Sequence, residues 1–117
     1  MTKNEFFERV AATCGRVVTS SLKNSCFTVQ KYPNPYNIQL RLYSYNPSER
    51  VAEIYIPKTD RWLLLFWNDV PQFSDRPGCC FHLQENTSID GPEGIIDHKH
   101  SRTLSGCLNA LKKILDE

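Results

Sequence analysis

Two short segments hold most of the side chains able to do chemistry. Cys80-Phe81-His82 and His98-Lys99-His100 contain between them all three histidines of the chain. Residues two apart on a strand share a face, so Cys80 projects with His82 and His98 with His100. If these segments pair as a hairpin centred on Asp90, Cys80 lies opposite His100 and His82 opposite His98. Cross-strand neighbours have Cβ atoms about 5 Å apart, close enough for four donors to meet at one ion. Tetrahedral zinc takes thiolate and imidazole together, so zinc is the ion this set would hold, and no other cofactor is indicated. All four side chains sit on the parity opposite Phe81 and Leu83, the face the core does not need. The competing reading leaves them as an ordinary polar strand face.

A second set is suited to recognition. Tyr43, Tyr45 and Tyr55 share one parity of neighbouring strands with Arg41 and Glu53. Aromatic side chains and arginine bury large areas at small entropic cost, which is why they dominate binding hot spots. Such a face also suits stacking of unpaired bases. Tyrosine has high strand propensity, however, and cross-strand aromatic pairs stabilise sheets without any ligand. A third set lies around the last helix: Lys99 and Arg102 at its start, where free backbone N–H groups attract anions, and Lys112 and Lys113 further along.

Signatures of catalysis are missing. The chain has no glycine-rich phosphate loop, no His-Glu-x-x-His and no Gly-x-Ser-x-Gly. Cys79 or Cys80 with His82 would make a thiol–imidazole pair, but i,i+2 and i,i+3 strand neighbours are poorly placed for it. Glu53, Lys58, Asp69 and Asp75 loosely suggest a nuclease's acidic strand, yet their spacing puts Glu53 and Lys58 on opposite faces. An enzymatic role is therefore not the expectation.

The elements that must position these residues centre on Ile38 to Trp67. Ile38, Leu40 and Leu42 alternate with Gln39, Arg41 and Tyr43, then Ala52, Ile54 and Ile56 alternate with Val51, Glu53 and Tyr55. Each run has the period of a half-buried strand, and Asn46-Pro47-Ser48-Glu49 and Pro57-Lys58-Thr59-Asp60 are turn chemistry between them. Trp62 to Trp67 is apolar on both parities, as in a central strand covered on both faces. Ser25 to Lys31, Cys79 to Asn86 and Ile95 to His100 read as further strands. Residues 3 to 18 carry Phe6, Phe7, Val10, Ala11, Cys14, Val17 and Val18 at helical spacing, with Thr2 or Asn4 as N-cap and Gly15 weakening the last turn. Ser20 to Asn24 reads as a polar connector. Leu104, Cys107, Leu108, Leu111, Ile114 and Leu115 form the stripe of a final amphipathic helix capped by Ser101 or Thr103.

The expected architecture is one α+β domain over 1–117. It comprises an N-terminal helix, an antiparallel sheet of four to six strands, and a C-terminal helix packed on the face carrying Leu40, Leu42, Ile54 and Ile56. A chain of 117 residues with 40% hydrophobic and 11% aromatic content can build a real core. Fourteen basic against thirteen acidic residues, net +1, argue against a dominant nucleic-acid footprint. Five cysteines, an odd number, do not read as a secreted disulfide framework, and the longest apolar run is far short of a bilayer span. A cytoplasmic protein without membrane contact is expected.

In layout the chain loosely resembles a double-stranded-RNA-binding domain: helix, antiparallel sheet, basic helix start, and a last helix containing Ala, Cys and Gly. That resemblance implies RNA contacts from Lys99, Arg102, Lys112 and Lys113. The family's last helix begins with a run of lysines where this chain has Arg102 alone, and the sheet here is longer. The residues favour a non-catalytic protein-binding module of the inhibitor, immunity or anti-defence, or assembly-chaperone kind. It would dock through Arg41, Tyr43, Tyr45, Glu53 and Tyr55. A nucleic-acid-binding domain and a small zinc protein are the alternatives.

Overall fold

A computed structural model describes residues 1–21, 25–31, 36–69, 78–87 and 94–117, with the side chains of 19–21 and 45 outside that description. Helix α1 runs Lys3–Cys14. Thr2 opens it with a reciprocal cap: its Oγ1 accepts from the Glu5 amide at 3.1 Å, and Glu5 Oε1 accepts from the Thr2 amide at 3.3 Å. Phe6, Val10 and Cys14 recur every four residues and are all buried.

The helix stops at Gly15, where φ is 150° and an added Cβ would lie 2.1 Å from the Gln30 carbonyl oxygen. Only glycine fits there. The helix thus ends at the glycine expected to weaken its last turn and does not use the helical spacing that runs on to residue 18. Val17 and Val18 fit helical spacing but belong to strand β1, Arg16–Ser21, which also takes over the start of the expected polar connector. The sheet consequently has seven strands, not four to six.

The remaining strands are β2 (Cys26–Lys31), β3 (Tyr36–Asn46), β4 (Glu49–Ile56), β5 (Arg61–Asn68), β6 (Phe81–Asn86) and β7 (Ile95–Ser101). They pair antiparallel in chain order, a single meander from β1 to β7. Its inner face carries Val29, Ile38, Leu40, Leu42, Ala52, Ile54, Ile56, Leu63, Leu65 and Leu83, all buried. Both helices lie on it. Helix α2 (Leu104–Leu115) packs on β6 and β7, while α1 packs on α2 and on β1 to β4. Thr103 caps α2, accepting the Gly106 amide at 3.3 Å, and the six stripe residues are buried as their period requires. Among the described residues no helix is long and apolar enough to cross a membrane.

Candidate functional site

The antiparallel register sets the outward side chains of the sheet into rows that cross the strands. The first runs Thr28, Gln39, Tyr55, Trp62, Asn86, Ile95. The second runs Cys26, Arg41, Glu53, Leu64, Gln84, Asp97. The third runs Tyr43, Val51, Phe66, His82, His100.

Exposure divides the rows. In the third, Val51 and His82 are each 1% exposed, whereas Trp62 in the first is 42% exposed. On the inner parity Leu63 and Leu65 are buried, but on the outer parity Leu64 and Phe66 are only half-buried, so the expectation that Trp62 to Trp67 is covered on both faces holds on the inner side and fails on the outer one, most of all at Trp62. Its indole stacks on Tyr55 with ring centroids 4.2 Å apart. The Tyr55 hydroxyl donates to Asp60 at 2.8 Å, and that hydrogen bond pushes the phenol pKa up. The Arg41 guanidinium lies 5.1 Å from the Tyr43 ring centre and 3.8 Å from the Glu53 carboxylate. Arg41, Glu53, Tyr55 and Trp62, with Gln39 and Cys26, line a shallow concavity of about 380 Å³. The structure thus brings together Arg41, Tyr43, Glu53 and Tyr55; the Tyr45 side chain lies outside the described residues. Sequence reasoning missed Trp62, although its parity with Leu64 and its place just after a turn were signals.

The four expected metal ligands do not share one face. The hairpin is centred one register step later than expected, and a bulge between Leu83 and Gln84 adds another, so His82 lies opposite His100 instead of His98. His82 and His100 meet through their Nδ1 atoms at 2.6 Å. His98 turns to the helix-bearing side, where its Nε2 lies 2.8 Å from Glu85 Oε1. Cys80 precedes β6, and its thiol contacts the Gly78 carbonyl at 3.8 Å. Among the described residues no three or more His, Cys, Asp or Glu side chains form a group that would hold a metal ion.

Two charged networks were not foreseen. Glu85 shares the parity of Phe81 and Leu83, so it enters the core face and needs a partner there. Arg61 supplies a two-pronged one, at 2.9 and 2.8 Å, and also reaches Glu117 at 2.6 Å. The Arg61 hydrogen bonds, reinforced by His98, hold the Glu85 carboxyl below its usual range despite burial. At the other end of the sheet Arg50, 5% exposed, stacks 3.5 Å from the Trp67 ring centre and grips Asp69 at 3.1 and 2.5 Å. Those hydrogen bonds lower the Asp69 pKa. Burial pushes the Cys14 and Cys107 thiols up to about 12, so neither is a thiolate near neutrality.

The basic residues of the nucleic-acid alternative are exposed but do not converge. Lys99 and Arg102 precede α2, whereas Lys112 and Lys113 stand in its last turn, about 15 Å away at 1.5 Å per residue. The seven-stranded meander also widens the departure from the double-stranded-RNA-binding layout. No protein-family model, curated protein or solved structure matches this chain.

Proposed function

We propose that the protein is a non-catalytic binding module whose outward sheet face, around Arg41, Glu53, Tyr55 and Trp62, docks on another protein. The carrying observation is Trp62, 42% exposed and stacked on Tyr55 beside a charged pair, on the face opposite both helices. An indole held by a neighbouring ring loses little freedom when it is covered, which is what an interface anchor needs. Glu53 and Arg41 supply the polar rim. Inhibitors, immunity or anti-defence factors and assembly chaperones are proteins of this kind: compact domains whose activity is an interface.

Capture from host lysate tests it, using the native chain, a Tyr55→Ala/Trp62→Ala variant and Lys112→Ala as a distant control. The expected result is a stoichiometric protein held by the native chain and by Lys112→Ala, resistant to nuclease and to 0.5 M salt (roughly a 4 Å screening length), and absent with the double variant. A partner retained by the double variant, or released by nuclease, overturns the reading.

A further inference from the structure

The concavity on the outward face contains a carboxylate held only loosely. The Glu53 side chain is 23% exposed, and among the described residues its one polar partner is Arg41, whose guanidinium stands 3.8 Å away, beyond hydrogen-bond reach. A carboxylate that has lost most of its water without gaining hydrogen bonds profits more from a new donor than a solvated one does. Arg41 itself is 62% exposed and also lies over the Tyr43 ring, so it can leave Glu53 at little cost. A second carboxylate, Asp60, is fixed at the margin by the Tyr55 hydroxyl. Two carboxylates against one guanidinium make this margin acidic, although the whole chain has a formal net charge of +1.

The register sets the aromatic wall beside that carboxylate. Tyr55 pairs with Trp62 and Glu53 with Leu64, so Glu53 and Trp62 are diagonal neighbours. Diagonal positions lie about 7–8 Å apart, and a cation is attracted to a ring from within about 6 Å of its centre. One flat cation can therefore meet both. We propose that this concavity receives an arginine side chain presented by the protein partner, an inference that rests on the docking reading above. The guanidinium lies along the Trp62–Tyr55 stack, displaces Arg41 and donates to Glu53, with the Gln39 side-chain carbonyl as a further acceptor. Arginine suits the place better than lysine. Its planar head stacks on aromatic faces and pairs two-pronged with a carboxylate, whereas an ammonium is a strongly hydrated point charge. A partly buried pair of this kind is screened little by salt.

The test titrates the full chain with four capped tripeptides, acetyl-Gly-X-Gly-amide, where X is arginine, its uncharged isostere citrulline, lysine or glutamate. The Trp62 indole N–H resonance reports binding. The arginine peptide should give saturable shifts, with the citrulline peptide and the Glu53→Gln variant each weaker by at least about fivefold. Arg41→Gln should tighten arginine binding, because the internal competitor is gone. A merely structural role for the pair would not move affinity in opposite directions. No saturable shift, equal affinity for arginine and either citrulline or lysine, tighter binding of glutamate, or an unchanged response in Glu53→Gln overturns the proposal. In the lysate capture, a partner lost with Tyr55→Ala/Trp62→Ala but held undiminished by Glu53→Gln overturns this inference and leaves the docking reading standing. Glu53-dependent arginine binding with no captured partner does the reverse.

Discussion

Glu85 shows how one residue ties stability to pH. Its carboxylate is buried on the core face and is satisfied by Arg61 first and His98 second. Its folded pKa lies below the ordinary value of 4.5, so it contributes stability that is present above that value and lost as pH falls through the folded pKa. The native chain should therefore lose urea resistance below about pH 5, with Glu85→Gln losing less over the same interval. At pH 7 Glu85→Gln should cost about 2–4 kcal/mol, because it leaves Arg61 paired only to the exposed Glu117. Urea midpoints at pH 7 and pH 4 measure both effects. Arg50 plays the corresponding part at the opposite end of the sheet, where Trp67 and Asp69 hold it.

At the scale of elements, the junction between α1 and β1 depends on one position. Gly15 sits at φ 150° against the Gln30 carbonyl oxygen, so Gly15→Ala meets both a disfavoured dihedral and a backbone clash. The neighbour is a paired strand, which cannot yield without breaking the β1–β2 register at Arg16 and Gln30. We expect a loss of roughly 2–4 kcal/mol by thermal or urea denaturation. The Thr2→Ala change at the other end of α1 should cost only about 1 kcal/mol, since it removes an exposed cap. An inverted order of these two costs would mean that α1 is anchored by its first turn and not by its last.

For the molecule as a whole, the sheet is covered by helices on one face only, and α2 supplies much of that cover. Its six buried apolar side chains are worth about 1.5–3 kcal/mol each, or roughly 9–18 kcal/mol together as an upper estimate. That is comparable to or larger than the ~5–15 kcal/mol net stability of an ordinary domain. A chain ending at Thr103 should therefore show no cooperative thermal transition and no near-ultraviolet dichroism. A cooperative transition in that shortened chain would show that the meander and α1 suffice. The two edge strands β1 and β7 each pair through a bulge, between Val17 and Thr19 and between Leu83 and Gln84. Bulged edges pair poorly with further strands, which limits open-ended association.

The period of the apolar residues by itself determined most of the architecture. Alternation over Ile38–Leu42 and Ala52–Ile56 defined two strands and their inner face, and the Leu104–Leu115 stripe defined α2 and its buried side. Those signals are local, since a strand or helix places its own side chains at fixed intervals. The outward placement of Arg41, Glu53 and Tyr55 was legible for the same reason. Other features are relations between segments, and these only the tertiary structure decided. Val17 and Val18 are compatible with a helix until the Gln30 carbonyl beside Gly15 forces the chain to turn. The bulge at His98 put that imidazole on the face opposite His100, because a shift of one residue reverses every side chain beyond it, and together with the hairpin's centre it set His82 against His100. Exposure of Trp62, and the partnership of Glu85 with Arg61, likewise follow from which strand lies beside which and where the helices stop covering the sheet.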